Sequence, residues 1–374
     1  MSAATALPTL HPPAGADFPA VRIKASPDDF MVEELPLYEP SGSGTHLYFW
    51  IEKRGINTMD AVRRLAAVLR KRAADAGVAG LKDSRAVSRQ WISFEHVKEN
   101  FEQARQFSDE KIVVLKAAQH GNKLKMGHLR GNRFAIRLVP ASGANSAACE
   151  RIAARCREVF ATLQQKGIPN YYGEQRFGRN GENVRLGRML VQGDLAGFEK
   201  AFAELNHGRK ADRRLKNLIV NALQSDLFNQ VLAARMPEIG KLLAGDLAWL
   251  HRNGAVFAVA NDADAAKEQP RADAFEISPS GPIYGGKSKL AEGRPGEIER
   301  QILAQSGLKL EDFGRREAER QPGARRSLRI AFLETPAVEL ETGGVVVRFA
   351  LPSGAYATVV LREILGDSAN DTDV

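Results

Sequence analysis

Residues that staple a fold or bind metal are scarce in this chain. It holds two cysteines, Cys149 and Cys156, with no Cys-x-x-Cys pair and no cluster of histidines. No zinc centre is therefore expected. The cysteines sit in a segment with helical spacing, two turns apart, where their Cα atoms are too distant for a disulfide. Reduced thiols point to the cytoplasm. No apolar run approaches the length that spans a bilayer. The start, Met-Ser-Ala-Ala-Thr-Ala-Leu-Pro, lacks a basic stretch followed by an apolar block, so no secretory leader is expected.

Positive charge, by contrast, is in excess. Lys and Arg number 53 against 45 Asp and Glu, a formal charge of +8, with a pI near 9.5. That balance favours a polyanionic partner, because cations neutralise phosphates and release counterions, although a merely basic soluble protein would share it. With 44% hydrophobic and 26% charged residues the composition is that of a globular protein, and 374 residues suffice for two domains with separate cores.

Periodicity and turn chemistry predict the elements. Residues up to about Phe18, rich in Ala and Pro, read as a mobile tail, and the polar end from Gly366 as a fraying one. Strands are expected at 21–23 and 30–32, either side of a Ser-Pro-Asp-Asp turn, and at 46–51. Asn57 or Thr58 should cap a helix whose Met59, Val62, Leu65, Ala66 and Leu69 share a face, ended by Gly77 and Gly80. Further strands are expected at 91–94, 112–115 and the alternating 133–139, then a helix over 148–166. Residues 170–188 are rich in Gly, Arg and aromatics, with little period. Helices follow over 195–205, 215–234 and from Glu297, with a hairpin around Asn253-Gly254 and a polar connection over 260–282. Strand character returns at 328–332, 345–351 and 356–361. Strand-rich ends around a helical middle point to an α+β domain interrupted by an insertion.

The most informative stretch is residues 79–94, Ala-Gly-Leu-Lys-Asp-Ser-Arg-Ala-Val-Ser-Arg-Gln-Trp-Ile-Ser-Phe. It sets one carboxylate, Asp83, between Lys82 and Arg85. Nearby cations favour the ionised form, which suits a nucleophile better than a general acid that must hold a proton. A solvated turn whose charges pair locally would give the same pattern. The run resembles the signature of the TruD family of tRNA pseudouridine synthases, in which Gly-x-Lys-Asp carries the nucleophilic aspartate.

Further matches follow in order. Lys24-Ala-Ser-Pro-Asp-Asp-Phe30-Met-Val-Glu-Glu34 resembles the family's Lys-x-x-Pro-Glu-Asp-Phe-x-Val-x-Glu. The resemblance implies Phe30 in the substrate pocket, where a flat apolar face can stack on a base; by pattern alone Phe30 would be core. It also offers Lys24 as a partner orienting Asp83. Arg130-Gly131-Asn132-Arg133-Phe134 resembles Lys-Gly-Asn-x-Phe, implying Asn132 at the edge of a uracil and Phe134 against its face. Ile168-Pro-Asn-Tyr-Tyr-Gly-Glu-Gln-Arg-Phe-Gly178 looks like the segment opening the family's inserted TRUD domain, with Gln175 and Arg176 either contacting RNA or bracing the domains. Asp226-Leu-Phe-Asn-Gln230 and Leu351-Pro-Ser-Gly-Ala-Tyr-Ala-Thr358 complete the series, the latter implying Tyr356 as a stacking residue. Ser84 and Ser88 depart from the pattern, which would put a basic residue and often threonine there.

The resemblance implies an α+β fold. A mixed or antiparallel-sheet catalytic domain, residues 1–169 and 331–374, would be interrupted by an inserted α/β TRUD domain, residues 170–330. The implied reaction isomerises uridine, at position 13 of tRNA, to pseudouridine. Asp83 would be the nucleophile, on the sugar C1′ or the uracil ring, while Phe30, Asn132, Phe134 and Tyr356 hold a flipped base. No metal or cofactor is needed; tRNA is the expected partner, with no membrane and no small-molecule cofactor, and a monomer is expected. Arg209, Lys210, Arg213 and Arg214 would contact phosphates or line a solvated helix start. The alternative is a non-catalytic tRNA-binding protein or folding chaperone on the same fold, for which an amide or cation would suit position 83 better. Gly281-Pro-Ile-Tyr-Gly-Gly-Lys-Ser288 satisfies the Walker A pattern. Its flanks, Ser278-Pro-Ser280 and Gly293-Arg-Pro-Gly296, predict neither the buried strand nor the helix that a P-loop needs.

Overall fold

The computed structural model describes residues 7–15, 17–95, 101–143, 145–318 and 320–366. The chain begins with β1 (Val21–Arg22), β2 (Phe30–Pro36), β3 (His46–Arg54), α1 (Thr58–Val68), β4 (Gly77–Val78), β5 (Val87–Glu95), α2 (Phe101–Arg105), β6 (Ile112–His120), β7 (Leu129–Pro140) and α3 (Ser146–Lys166). Next come β8 (Ile168–Pro169), α4 (Glu182–Gln192), α5 (Leu195–Leu205), α6 (Arg213–Ala234), β9 (Leu247–Leu250), β10 (Val256–Ala258), α7 (Asp262–Asp273), β11 (Ile277–Ile283) and α8 (Gly293–Gln305). The series ends with β12 (Ala324–Ser327), β13 (Arg329–Ile330), β14 (Glu334–Glu341), β15 (Gly344–Pro352) and α9 (Ala357–Leu365). None of these helices is long and apolar enough to cross a membrane.

Two compact units emerge, one drawn mostly from Pro13–Ala161 and Phe332–Ala357, the other mostly from Thr162–Ala331. The first is built on a sheet of order β14-β15-β7-β2-β5-β3-β6, with β1 beside β7 and β4 beside β5. Its described pairings are antiparallel except that of β2 with β5. Strand alternation sends Leu47, Phe49 and Ile51 of β3 to one face with Ile92 and Phe94 of β5. Ala61, Val62, Leu65 and Ala66 of α1 cover them, each large side chain worth about 1.5–3 kcal/mol of burial. Asn57 caps that helix, its side chain accepting the Asp60 N–H at 2.9 Å. On β15, Phe349 sits against Phe160 of α3, ring centroids 6.0 Å apart. Gly131 of β7 is dictated by close approach, since a Cβ there would lie 2.1 Å from the Leu351 carbonyl oxygen. The opposite face carries rows of ion pairs: Glu33 to Arg89 at 3.3 Å and to Arg133 at 2.6 Å, Arg89 to Glu52 at 2.9 Å, and Arg348 to Glu339 at 3.1 Å.

In the second unit α6 is central. Its Ile219, Val220, Leu223, Leu227 and Val231 share a core with Leu186 and Leu190 of α4, Phe198 and Phe202 of α5, and Ile302 and Leu303 of α8. Gly187 lets α4 close on α6, because a Cβ would meet the Ile219 carbonyl oxygen at 2.7 Å. A four-stranded antiparallel sheet, β10-β9-β11-β12, and the pair β8–β13 complete the unit.

Several expectations require correction. Residues 356–361 are not a strand: Tyr356 precedes α9, whose helical packing overrides the β-branched run. The expected connection over 260–282 holds α7 and most of β11; Pro270 sits inside α7, late enough that the helix has formed before it. α1 ends at Val68, before either glycine, and α4 begins within the stretch read as aperiodic. Of the expected mobile tail, residues 1–6 and 16 lie outside the described residues, as do 367–374 of the expected fraying end. Leu10 is buried, and its N–H and that of His11 donate to the Glu363 carboxylate at 2.9 and 3.0 Å. Both cysteines are free and buried, and burial pushes the Cys156 thiol up to about 12.

Candidate active site

The face of the large sheet that α1 and α3 share is not apolar throughout. On its central strands the alternation places Lys53 (β3), Ser88 and Gln90 (β5), Glu34 (β2) and Asn132 (β7), with Lys53 opposite Ser88 and Glu34 opposite Asn132. Lys53, Ser88, Gln90 and Glu34 are all buried. Polar groups in such a place must find partners or cost stability, and the loop between β4 and β5 supplies several. Thr58 at the start of α1 accepts the Lys82 N–H at 2.8 Å and donates to Gln90 at 2.9 Å, and Gln90 donates to the Gly80 carbonyl at 3.1 Å.

That loop presents Asp83. Its Oδ2 lies 2.8 Å from Lys24 Nζ, and its Oδ1 accepts the Arg85 backbone N–H at 3.0 Å. The backbone carbonyl of Asp83 accepts from Lys53 Nζ at 2.6 Å, and that ammonium also donates to the Ile56 carbonyl at 2.7 Å. Burial works to raise the Asp83 pKa. The Lys24 ammonium and the backbone N–H groups of Arg85 and Ser84 outweigh it and hold the carboxyl below its ordinary value. With 32% of its side chain exposed, Asp83 is an ionised carboxylate within reach of solvent. Lys24 holds it from a left-handed backbone, φ 57°, a conformation that strains a residue with a Cβ and that concentrates at functional sites.

The cation beside Asp83 is therefore not the one next to it in sequence. Lys82 points into the protein, donating to Asn132 Oδ1 at 2.6 Å and standing 3.4 Å from Glu34 Oε2. An ammonium only donates, so this bond fixes the Asn132 amide with its carbonyl toward Lys82 and its NH2 turned away. Burial lowers the Lys82 pKa, opposed by Glu34, and burial raises that of Glu34, opposed by Lys82. Lys24 Nζ also stands 4.4 Å over the Phe30 ring, which meets Phe134 edge-on with centroids 6.3 Å apart. Phe30 and Phe134 are both buried.

Contacts thus bring together Asp83, Phe30, Phe134 and, through Lys82, Asn132. Tyr356 is half-buried in the turn after β15 and is related to the group by strand register, Leu351 lying opposite Asn132. Sequence reasoning did not find Lys53 or the Lys82–Glu34 pair. A lysine at an inward position of an aromatic-rich strand was the available signal for the first.

In the other unit, the segment beginning at Asn170 and the middle of α6 clasp each other. Asn229 exchanges two hydrogen bonds with the Tyr172 backbone, at 2.9 and 3.0 Å, and Arg176 donates to Ser225 at 2.6 Å. The Tyr172 ring also lies under the Arg326 guanidinium, 4.1 Å from its centroid. Arg176 is thus engaged within its own unit. Arg209, Lys210, Arg213 and Arg214 are exposed at the approach to α6. The Walker-like run begins inside a buried strand, where none was expected, for Gly281 lies in β11; α8 starts only at Gly293, with Pro295 in its first turn. Gly285 is small because a Cβ would meet the Gly323 backbone at 2.1 Å, so its space belongs to the protein rather than to a phosphate. Among the described residues no group of His, Cys, Asp and Glu is placed to hold a metal.

The family model described as tRNA pseudouridine synthase D (TruD) matches residues 17–207 and 198–364. A Geobacter metallireducens protein named tRNA pseudouridine synthase D is 38% identical over 393 residues, covering 92% of this chain and 94% of that protein. A protein of the same name from an Anaeromyxobacter species is 40% identical over 345 residues, covering 92% of each. A crystal structure from Methanosarcina mazei, provisionally described as tRNA pseudouridine synthase D (TruD), has the same fold: TM-score 0.78 over 98% of this chain and 97% of that one, at 22% identity. The chain belongs to the TruD family of tRNA pseudouridine synthases.

Proposed function

We propose that this enzyme converts the uridine at position 13 of tRNA to pseudouridine, with Asp83 as the nucleophile. The observation that carries the reading is the Asp83 carboxylate, kept ionised by Lys24 at 2.8 Å yet partly open to solvent. An anion so placed is ready to attack without first losing a proton. The reaction breaks the bond between C1′ and N1, turns the base, and joins C1′ to C5; the C5 proton leaves and N1 gains one, so the product is an isomer. Attack on C1′ or on the uracil ring both draw on the ionised form. Reaching either centre requires the base out of the helical stack. Phe30 and Phe134 would form the floor beneath it and Tyr356 a further stacking surface, while Asn132, its amide fixed by Lys82, would donate to a uracil carbonyl.

The catalytic domain in this reading is residues 1–169 and 331–374, which carry all five site residues, and residues 170–330 are the inserted domain. The enzyme would work in the cytoplasm, as a monomer, without a cofactor. Asp83→Asn keeps the volume and removes the anion. Pseudouridine mapping of tRNA should show modification lost in this variant while tRNA binding persists. Undiminished modification would remove Asp83 from the role of nucleophile, and wild-type protein that binds tRNA without modifying it would favour the chaperone alternative.

A further inference from the structure

The unit drawn mostly from Thr162–Ala331 contains a cavity of about 870 Å³, lined by Leu195, Arg213, Lys216, Arg316, Glu317 and Arg320. Its volume is in the range of ligand-holding clefts, roughly 300–1,000 Å³. Four of the six lining residues are cations. The wall bearing Arg316 and Arg320 is a short turn segment that Phe313 and Ala318, both buried, fasten to the core around α6.

Three observations distinguish this cluster from the ion-paired arginines of the large sheet. In the large sheet Arg89, Arg133, Arg137 and Arg348 are all neutralised by carboxylates. Lys216, Arg316 and Arg320, in contrast, make no ion pair among the described residues, even with Glu317 beside them in the same wall. Arg315, next in sequence, shows the contrast locally: it is occupied by the Gln192 carbonyl at 2.7 Å and by Asp312 at 2.8 Å. Secondly, Arg213, Arg214 and Lys216 stand in the first turn of the 22-residue α6, where the helix dipole already presents positive charge and favours acids. Cations there act against helix stability, which an anionic ligand would reverse. Thirdly, Arg320 is held in the left-handed region, φ 50°.

We propose that this cavity is a phosphate-binding site for the backbone of the tRNA substrate, with Lys216, Arg316 and Arg320 as contacting cations. The proposal rests on the reading of the chain as a tRNA-modifying enzyme. Arg316 and Arg320 are exposed, which suits a polymer passing over the cavity better than an enclosed small molecule. Partly exposed Leu195 offers an apolar surface to a ribose.

The test is tRNA affinity of the full chain across 50–200 mM salt for wild type and for Arg316→Gln/Arg320→Gln. Each phosphate contact contributes a slope of about 0.7–0.9 in log K against log [salt], so losing two should flatten the slope by roughly 1.4–1.8. The wild-type advantage should then shrink about tenfold over that range. Arg316→Lys/Arg320→Lys should retain the wild-type slope. Arg315→Gln, which removes a brace, should lower the melting temperature and leave the slope unchanged. Wild-type affinity and slope in the double Gln variant would overturn the proposal. So would a variant that binds tRNA normally but loses stabilisation by inorganic phosphate, since the site would then serve a free anion. Wild-type protein that binds with the steep slope yet forms no pseudouridine would overturn the enzymatic reading and leave the cavity's role standing.

Discussion

Lys82 should prove a stability residue as much as a site residue. Its ammonium is the cation 3.4 Å from the Glu34 carboxylate, and Glu34 is only 1% exposed. Lys82→Met leaves that carboxylate buried without a counter-charge, which costs about 3–5 kcal/mol. With a urea slope of about 1–3 kcal/mol/M, the unfolding midpoint of this unit should fall by roughly 1–5 M. Trp50 and Trp91 lie in the unit and report its unfolding by fluorescence. Glu34→Leu added to Lys82→Met removes the stranded charge and should restore most of the loss, because an apolar pair often replaces a buried ion pair at little cost. Acidification offers a second check. Burial raises the Glu34 pKa above its unfolded value, so stability from its protonated form is full below the unfolded pKa and is lost as pH rises through the folded one. The single variant should therefore recover stability as pH falls, and the double variant should not. The double variant should also be folded but slow, since nothing then holds the Asn132 amide. A loss below about 1 kcal/mol in Lys82→Met, or a double variant no more stable than the single, would refute the reasoning.

Two further predictions concern the charges around Asp83. Lys24→Met removes the main opposition to burial, so the acid limb of the kcat/KM profile should move to higher pH; an unmoved limb would mean that Lys24 does not tune the carboxylate. Burial lowers the Lys53 pKa to about 8 against the opposing pull of Asp83. A depressed pKa gives stability that is present above the unfolded value and lost as pH falls through the folded one, so stability should climb above pH 8. Activity should fall over the same interval as positive charge behind the Asp83 loop is lost, and activity that follows stability upward would contradict this role.

Long helices were legible because their apolar period survives in one sequence: α3, α5 and α6 begin and end close to where spacing places them. The 356–361 run deceived because Thr, Val and Val favour strands locally, a preference that packing overrules. β14 escaped notice as a sheet-edge strand whose outward residues are mostly charged, so it carries little apolar alternation. At the candidate site, proximity in sequence misled. Lys82 and Asp83 are adjacent, yet their side chains diverge, and the counter-charge arrives from Lys24 at the other side of β2. Long-range partners of this kind are set by strand order, which no local pattern encodes.

The ion-paired face of the large sheet has a practical side. Its arginines and glutamates cancel one another, so a polyanion gains little by settling there, and a label on that face should leave RNA binding alone. Both native cysteines are buried, so a cysteine placed at Ala337 on β14, an exposed position that carries no charge, would be the one readily alkylated thiol among the described residues. That single position offers an attachment point for a fluorophore or a tether, from which one molecule could be watched capturing and releasing its RNA.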